Sequence, residues 1–146
     1  MGGYMREKKY VPSLVLCSTA ARTRETLELL LPALGASPEI RYEDSLYLAV
    51  WPRLLDAVRT SPDAATPLLL IGHNPGIEQL AAALMRKPAT LKGRAFADQL
   101  AEKFPTAALA VLDFRGDDWA AVKPGAGRLA NFVRPKDLAA ESEEKD

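Results

Sequence analysis

The sequence predicts an α/β protein with a mostly parallel sheet flanked by helices, on three observations. Apolar runs short enough for buried strands alternate with stretches of helical periodicity. Two strand-to-helix junctions, after Cys17 and after Ile71, carry capping or turn residues. A late segment, Ala107 to Val122, reads instead as a hairpin around Gly116-Asp117-Asp118.

The elements follow in order. Met1 to Tyr10 mixes charge with Tyr4 and Met5 and reads as the end of an amphipathic helix, closed before Pro12. Leu14 to Cys17 is a short apolar run suited to a buried strand. From Ala20 to Leu34, the residues Leu27, Leu30, Leu31 and Leu34 share one helical face, and Gly35 supplies the stop. Ile40 to Tyr42 is a brief strand. Pro52, at a first helical position, opens a helix carrying Leu54, Leu55 and Val58. Ser61 to Pro67 is a loop.

Leu68 to Ile71 then suits a strand buried on both faces. Asn74-Pro75-Gly76 marks a tight turn, and Ile77, Leu80, Ala81 and Leu84 recur with helical spacing. Lys92 to Phe104 is a further helix. Ala107 to Phe114 is a strand, with Trp119 to Val122 its expected hairpin partner. Trp51, Phe114 and Trp119 read as packing residues. Pro135 to Asp146 closes the chain as a charged tail, with the domain running over 1–138 and a flexible end over 139–146.

Bulk properties narrow the function classes. A chain of 146 residues fits one domain, and 48% hydrophobic content suffices for a core. The formal net charge is zero and the pI about 6.6, so no overall basic field draws the chain to nucleic acid or an anionic membrane. No apolar stretch is long enough to span a bilayer and no signal-peptide pattern opens the chain, so a cytoplasmic protein is expected. The single cysteine excludes an internal disulfide and offers no metal cluster. No cofactor and no metal are expected. No glycine-rich loop ending in Lys-Ser or Lys-Thr is present, which removes a Walker-type nucleotide site.

The chain has one histidine, His73, and it stands where a buried strand hands over to a helix. In an open α/β sheet that is the carboxyl edge, where ligands bind. Unpaired N–H groups at a helix start suit an anion, so the pattern suggests a phosphate site. Asn74 either offers its backbone N–H to that phosphate or merely starts the turn.

The second junction, Cys17-Ser18-Thr19-Ala20-Ala21-Arg22-Thr23-Arg24, has Ser18 or Thr19 as a plausible N-cap. Two arginines in the first turns oppose the helix dipole. Arg24 can pair with Glu28, four residues on, whereas Arg22 has only Glu25 at three. An arginine so placed makes more sense if it grips an anion with two parallel hydrogen bonds. Parallel strands put both junctions on one sheet edge.

Together these segments resemble the histidine phosphatase superfamily, specifically its SixA-type phosphohistidine phosphatase branch. The matching pieces are Leu14-Val15-Leu16-Cys17-Ser18 with Arg22 and Thr26, then Tyr42 to Ala49 around Leu46-Tyr47, then Gly72-His73-Asn74-Pro75. Phe104-Pro105-Thr106-Ala107 follows, with the strand to Phe114 and then Trp119. The agreement runs from about Tyr4 to about Leu138. It implies a phosphoglycerate-mutase-like sheet and a phosphatase acting, without metal, on phosphohistidine in a protein or on a small phosphoester. In it, Arg22 and His73 are the catalytic pair that grips the transferred phosphoryl group.

One departure stands against the matches. The family opens with a strand ending in Arg-His, whose histidine attacks phosphorus, and this chain has no counterpart. The absent strand is central in the family's sheet, so unpaired edges and exposed apolar surface are expected. A start codon placed too far downstream is favoured over a truncated gene, because the remaining motifs read as intact and Met1 falls within a helix. Nothing nearby replaces the lost imidazole: Cys17 is expected to be buried, and Ser18 would need His73 as its base. Glu43 and Asp44 lie where related phosphatases place an acid, which this branch does not clearly use. Two alternatives stay open, a catalytically inactive phosphate- or phosphoprotein-binding module and a serine hydrolase using Ser18 with His73. The latter lacks a Gly-x-Ser-x-Gly elbow.

Overall fold

A computed structural model describes residues 1–139. Helix α1 (Gly2–Glu7) leads to strand β1 (Leu14–Ser18), α2 (Ala21–Leu34) and β2 (Glu39–Glu43). A 3-10 turn at Asp44–Leu46 precedes α3 (Trp51–Arg59), β3 (Leu68–Ile71) and α4 (Gly76–Leu84). The chain continues through α5 (Leu91–Glu102), β4 (Leu109–Asp113), a 3-10 turn at Trp119–Ala121 and β5 (Arg128–Val133).

Strands β2, β1 and β3 form a parallel sheet in that order, with Leu14 opposite both Glu39 and Leu68, and Cys17 opposite both Tyr42 and Ile71. The side-chain alternation of a strand splits the core into two layers. Val15 and Cys17 pack with Leu27 of α2, while Leu14 and Leu16 pack with Leu54, Leu55, Leu80 and Leu84 of α3 and α4. Helix α2 ends as expected, with Gly35 in the left-handed region at φ 68°. Strands β4 and β5 form a separate antiparallel pair, covered by Leu100 of α5 and by Phe104, which meets Phe132 edge-on.

The two sheets do not hydrogen-bond to each other. Among the described residues β3 pairs only with β1, and β4 only with β5, so each keeps one edge without a strand partner. Cavities of about 520 Å³ and about 570 Å³ lie along this seam, and Leu68, Leu69, Leu109, Ala110 and Leu112 line both. This corrects the expectation that Leu68–Ile71 is buried on both faces. All five residues of β1 are buried, because it has a partner on each side, whereas every residue of β3 is half-buried beside the open seam.

Two further expectations change. Trp119 to Val122 is not the hairpin partner of the preceding strand. The Asp118 carboxylate accepts from the Ala120 N–H, the Trp119 indole N–H donates to the Ala65 carbonyl, and the Trp119 backbone N–H donates to Asp63. These bonds curl the segment into a 3-10 turn against the loop after α3, and β5 takes the strand position. The stretch from Pro135, expected as tail, opens on helix. Residues 135–139 are helical, and the Asp137 carboxylate takes hydrogen bonds from both the backbone and guanidinium of Arg134. The rest of that tail, 140–146, lies outside the described residues. No helix among the described residues is long and apolar enough to cross a membrane.

Candidate functional site

The parallel register between β1 and β3 sets the two junctions side by side, Cys17 facing Ile71. Beyond Ile71 the chain passes through Gly72 to His73, whose carbonyl accepts from the Ile77 N–H at 2.9 Å as α4 begins. Beyond Cys17, Ser18 ends the strand. Its side chain does not cap α2: the N-cap position is Ala20, in extended backbone with no side-chain cap. Thr23 stitches the junction instead, its hydroxyl placed within 2.8 Å of the Ser18 carbonyl and 2.9 Å of the Ala20 carbonyl. Ser18 Oγ lies 2.9 Å from His73 Nε2. The two loop tips are thus joined side chain to side chain, across 55 residues of sequence.

Arg22, His73 and Asn74 all line the cavity of about 520 Å³. Among the described residues the ion pairs are Arg41–Glu39, Arg128–Asp113 and Arg134–Asp137, so Arg22 is exposed at the cavity with no carboxylate partner. The pairing of Arg22 with Glu25 therefore does not form. Arg24 does not pair with Glu28 either; its guanidinium stacks 4.9 Å from the Tyr42 ring centroid and takes no part in the cavity wall. The Asn74 side chain donates to the Phe104 carbonyl at 2.8 Å, which ties the β3–α4 turn to the start of the connection into β4. One of the two side-chain N–H groups of Asn74 is thus committed to Phe104. Glu43 accepts from Ser45 Oγ, and neither Glu43 nor Asp44 lines the cavity.

Two more residues stand at the site, Tyr47 and Leu48, which the sequence places in a matching segment without a role. The Tyr47 ring meets the His73 imidazole edge-on, with centroids 5.6 Å apart and planes at 72°. Leu48 lines the cavity from a left-handed backbone conformation (φ 50°) that a branched side chain rarely adopts. Both sit in an irregular loop between β2 and α3, where no periodicity signals a contact.

Cys17 is fully buried, and burial pushes its thiol above the ordinary cysteine range, against opposing effects of a Thr23 hydrogen bond and the Arg24 charge. A thiol harder to ionise folded than unfolded contributes its full stability below its unfolded pKa and loses it as pH rises through the folded one. Cys17 is accordingly expected to resist a thiol-specific reagent in the native protein at neutral pH and to react fully in denaturant. Rapid native labelling would show β1 to be open. Among the described residues no group of three or more His, Cys, Asp or Glu could hold a metal ion.

The arrangement defines a class: an α/β protein with a cationic guanidinium and an imidazole at the carboxyl edge of a parallel sheet. No family model matches the chain. An uncharacterised protein of Mycobacterium tuberculosis is 36% identical over 137 residues, 92% of this chain and 81% of the relative. One from Mycobacterium leprae is 31% identical over 135 residues, 92% and 79% of the two. Among solved structures, a candidate phosphohistidine phosphatase SixA from Nakamurella multipartitia superposes with a TM-score of 0.75 at 31% identity, covering 92% of this chain and 77% of that one. Its counterpart from Agrobacterium tumefaciens gives 0.70 at 29%, covering 92% and 75%. The protein histidine phosphatase SixA complexed with tungstate shares the fold, at 0.69 and 19% identity, covering 94% and 78%. The chain belongs to the SixA group of the histidine phosphatase superfamily.

Proposed function

We propose that this chain is the phosphate-gripping body of a phosphatase that acts on phosphohistidine in a protein, or on a small phosphomonoester, without metal. The observation that supports this reading is that Arg22 and His73 both line one cavity, on junctions held together by the Ser18–His73 contact. Arg22 supplies a fixed positive fork and His73 a ring N–H, so both stabilise charge on the equatorial oxygens as the phosphoryl group transfers. Asn74 contributes through its backbone N–H. The attacking atom is an imidazole nitrogen that these 146 residues do not contain, since their one histidine is His73. It would arrive on a strand seated in the seam between β3 and β4, where neither edge has a strand partner among the described residues and Leu68, Leu69, Leu109, Ala110 and Leu112 line the walls. A phosphohistidine intermediate would then split the displacement into two easier steps.

A second reading is favoured by what lines the cavity. Neither Cys17 nor Ser18 reaches it, and both are fully buried. By itself, then, the chain grips phosphate and does not turn it over, as an inactive phosphate- or phosphoprotein-binding module would. The serine-hydrolase alternative has its pair at bonding distance, but no substrate could reach a Ser18 oxygen that has no exposed surface.

The test is turnover of a chromogenic phosphomonoester and of a phosphohistidine-bearing protein. It compares the 146-residue chain with the same chain preceded by an apolar strand ending in Arg-His. Turnover is expected only with the added strand, and phosphate binding in both. Hydrolysis by the chain alone at a rate unchanged by His73→Ala would sink the assignment. Binding that persists while neither protein turns over would favour the module.

A further inference from the structure

We propose that Ser18 is a positioning residue for His73, its hydroxyl holding the imidazole in the tautomer that presents Nδ1–H to the cavity. The proposal rests on the reading of His73 as a phosphate ligand and adds which nitrogen meets the anion, and why.

The hydrogen-bond inventory of one buried oxygen carries it. Ser18 has no exposed surface, so water cannot satisfy its hydroxyl. Among the described residues its Oγ has two partners: the Ala20 N–H, which donates to it at 3.3 Å, and His73 Nε2 at 2.9 Å. The Ala20 contact uses a lone pair and leaves the hydroxyl proton to place. Among the described residues the one acceptor within reach is Nε2. A neutral imidazole carries one N–H and one lone pair, so Nε2 accepting from Ser18 puts the hydrogen on Nδ1. The opposite tautomer would aim Nε2–H at Oγ and strand the hydroxyl proton in a dry interior.

The surroundings hold the same orientation. The Tyr47 ring abuts the imidazole edge, and the His73 carbonyl is anchored by the Ile77 N–H. Ser18 is placed in turn by the Cys17–Ile71 register and by the Thr23 hydroxyl at its carbonyl. His73 lines the cavity and Ser18 does not, so a ligand in the cavity has His73 and not Ser18 on its wall. That arrangement suits a serine that orients a histidine, and not a serine that attacks. An N–H at Nδ1 is the form that can donate to a phosphate oxygen, and fixing it beforehand removes the need to reorganise on binding.

The single histidine makes the test direct, because every imidazole signal in the protein belongs to His73. Two-bond proton–nitrogen correlation on ¹⁵N-histidine-labelled protein at about pH 8, above the ordinary histidine range, reads the tautomer. The Nδ1–H form is expected in the wild type, and Ser18→Ala is expected to shift it toward Nε2–H. The same variant is expected to weaken inorganic phosphate binding about tenfold. Ser18→Thr, which keeps the hydroxyl, is expected to restore both. A merely structural serine would alter the thermal midpoint and leave the tautomer in place.

An Nε2–H signal in the wild type overturns the proposal with no variant needed, so a poorly folding mutant cannot shelter it. A Ser18→Ala protein with tautomer and phosphate affinity both unchanged overturns it as well. Phosphate binding undiminished in His73→Ala would instead overturn the phosphate-ligand reading on which this rests, and the tautomer measurement would still decide whether Ser18 sets the ring.

Discussion

Gly76→Ala is expected to destabilise the protein by about 2–3 kcal/mol and to disturb the cavity in the same stroke. Gly76 opens α4 and is buried. A methyl group there would run into the backbone carbonyl of Ala49 and would also press on Leu54 Cδ1 at 3.3 Å. A flexible side chain could move aside, but a backbone oxygen moves only with its loop. That loop carries Tyr47 and Leu48, so relief of the clash draws the Tyr47 ring away from His73. Denaturant unfolding measures the first effect, and phosphate titration the second. Gly3→Ala is the control: it lies in α1 with nothing within 4 Å of the added methyl, and alanine is the better helix former. Equal unfolding midpoints for Gly76→Ala and wild type would mean that Ala49 does not approach the β3–α4 turn so closely.

Arg22→Ala is expected to lower affinity for inorganic phosphate or tungstate by about 10- to 100-fold while leaving the unfolding free energy within about 0.5 kcal/mol of wild type. The split follows from its surroundings. Arg22 is exposed and has no intramolecular ion pair among the described residues, so folding loses little when it goes. Arg22→Lys should fall between, because an ammonium keeps the charge but not the two parallel donors. Arg24→Ala should bind as wild type does, since its guanidinium lies on Tyr42, away from the cavity wall. Calorimetric titration decides the matter. Loss of binding in Arg24→Ala with none in Arg22→Ala would exchange their roles.

What could be read in advance was local. The runs Leu14–Cys17 and Leu68–Ile71, the leucine stripe ending at Gly35 and the turn after His73 each declare themselves within a few residues, and each element forms there. The misreadings arise where a distant partner decides. Ser18 has the right chemistry to cap α2, yet its hydroxyl is claimed by an imidazole 55 residues away, and Ala20 takes the cap position. Trp119 to Val122 has strand composition, but the Ala65 carbonyl and Asp63 capture Trp119 first. Strand β5 hides its alternation because the ladder slips between Val111 and Leu112, where Ala130 has no partner, so Leu129 and Phe132, three positions apart, are buried in one cluster.

The 146 residues therefore announced on their own the α/β class, the two strand-to-helix junctions and the arginine and histidine that sit on them, because periodicity, turn chemistry and charge next to a helix start act over a few positions of chain. Only the folded molecule decided that Ser18 faces His73, that Tyr47 leans on the same ring, that Arg24 turns away to Tyr42, and that a seam separates β3 from β4. Those outcomes depend on which strands pair and in which register. Pairing is a competition among distant segments for the same backbone groups, and no short window of sequence contains both competitors.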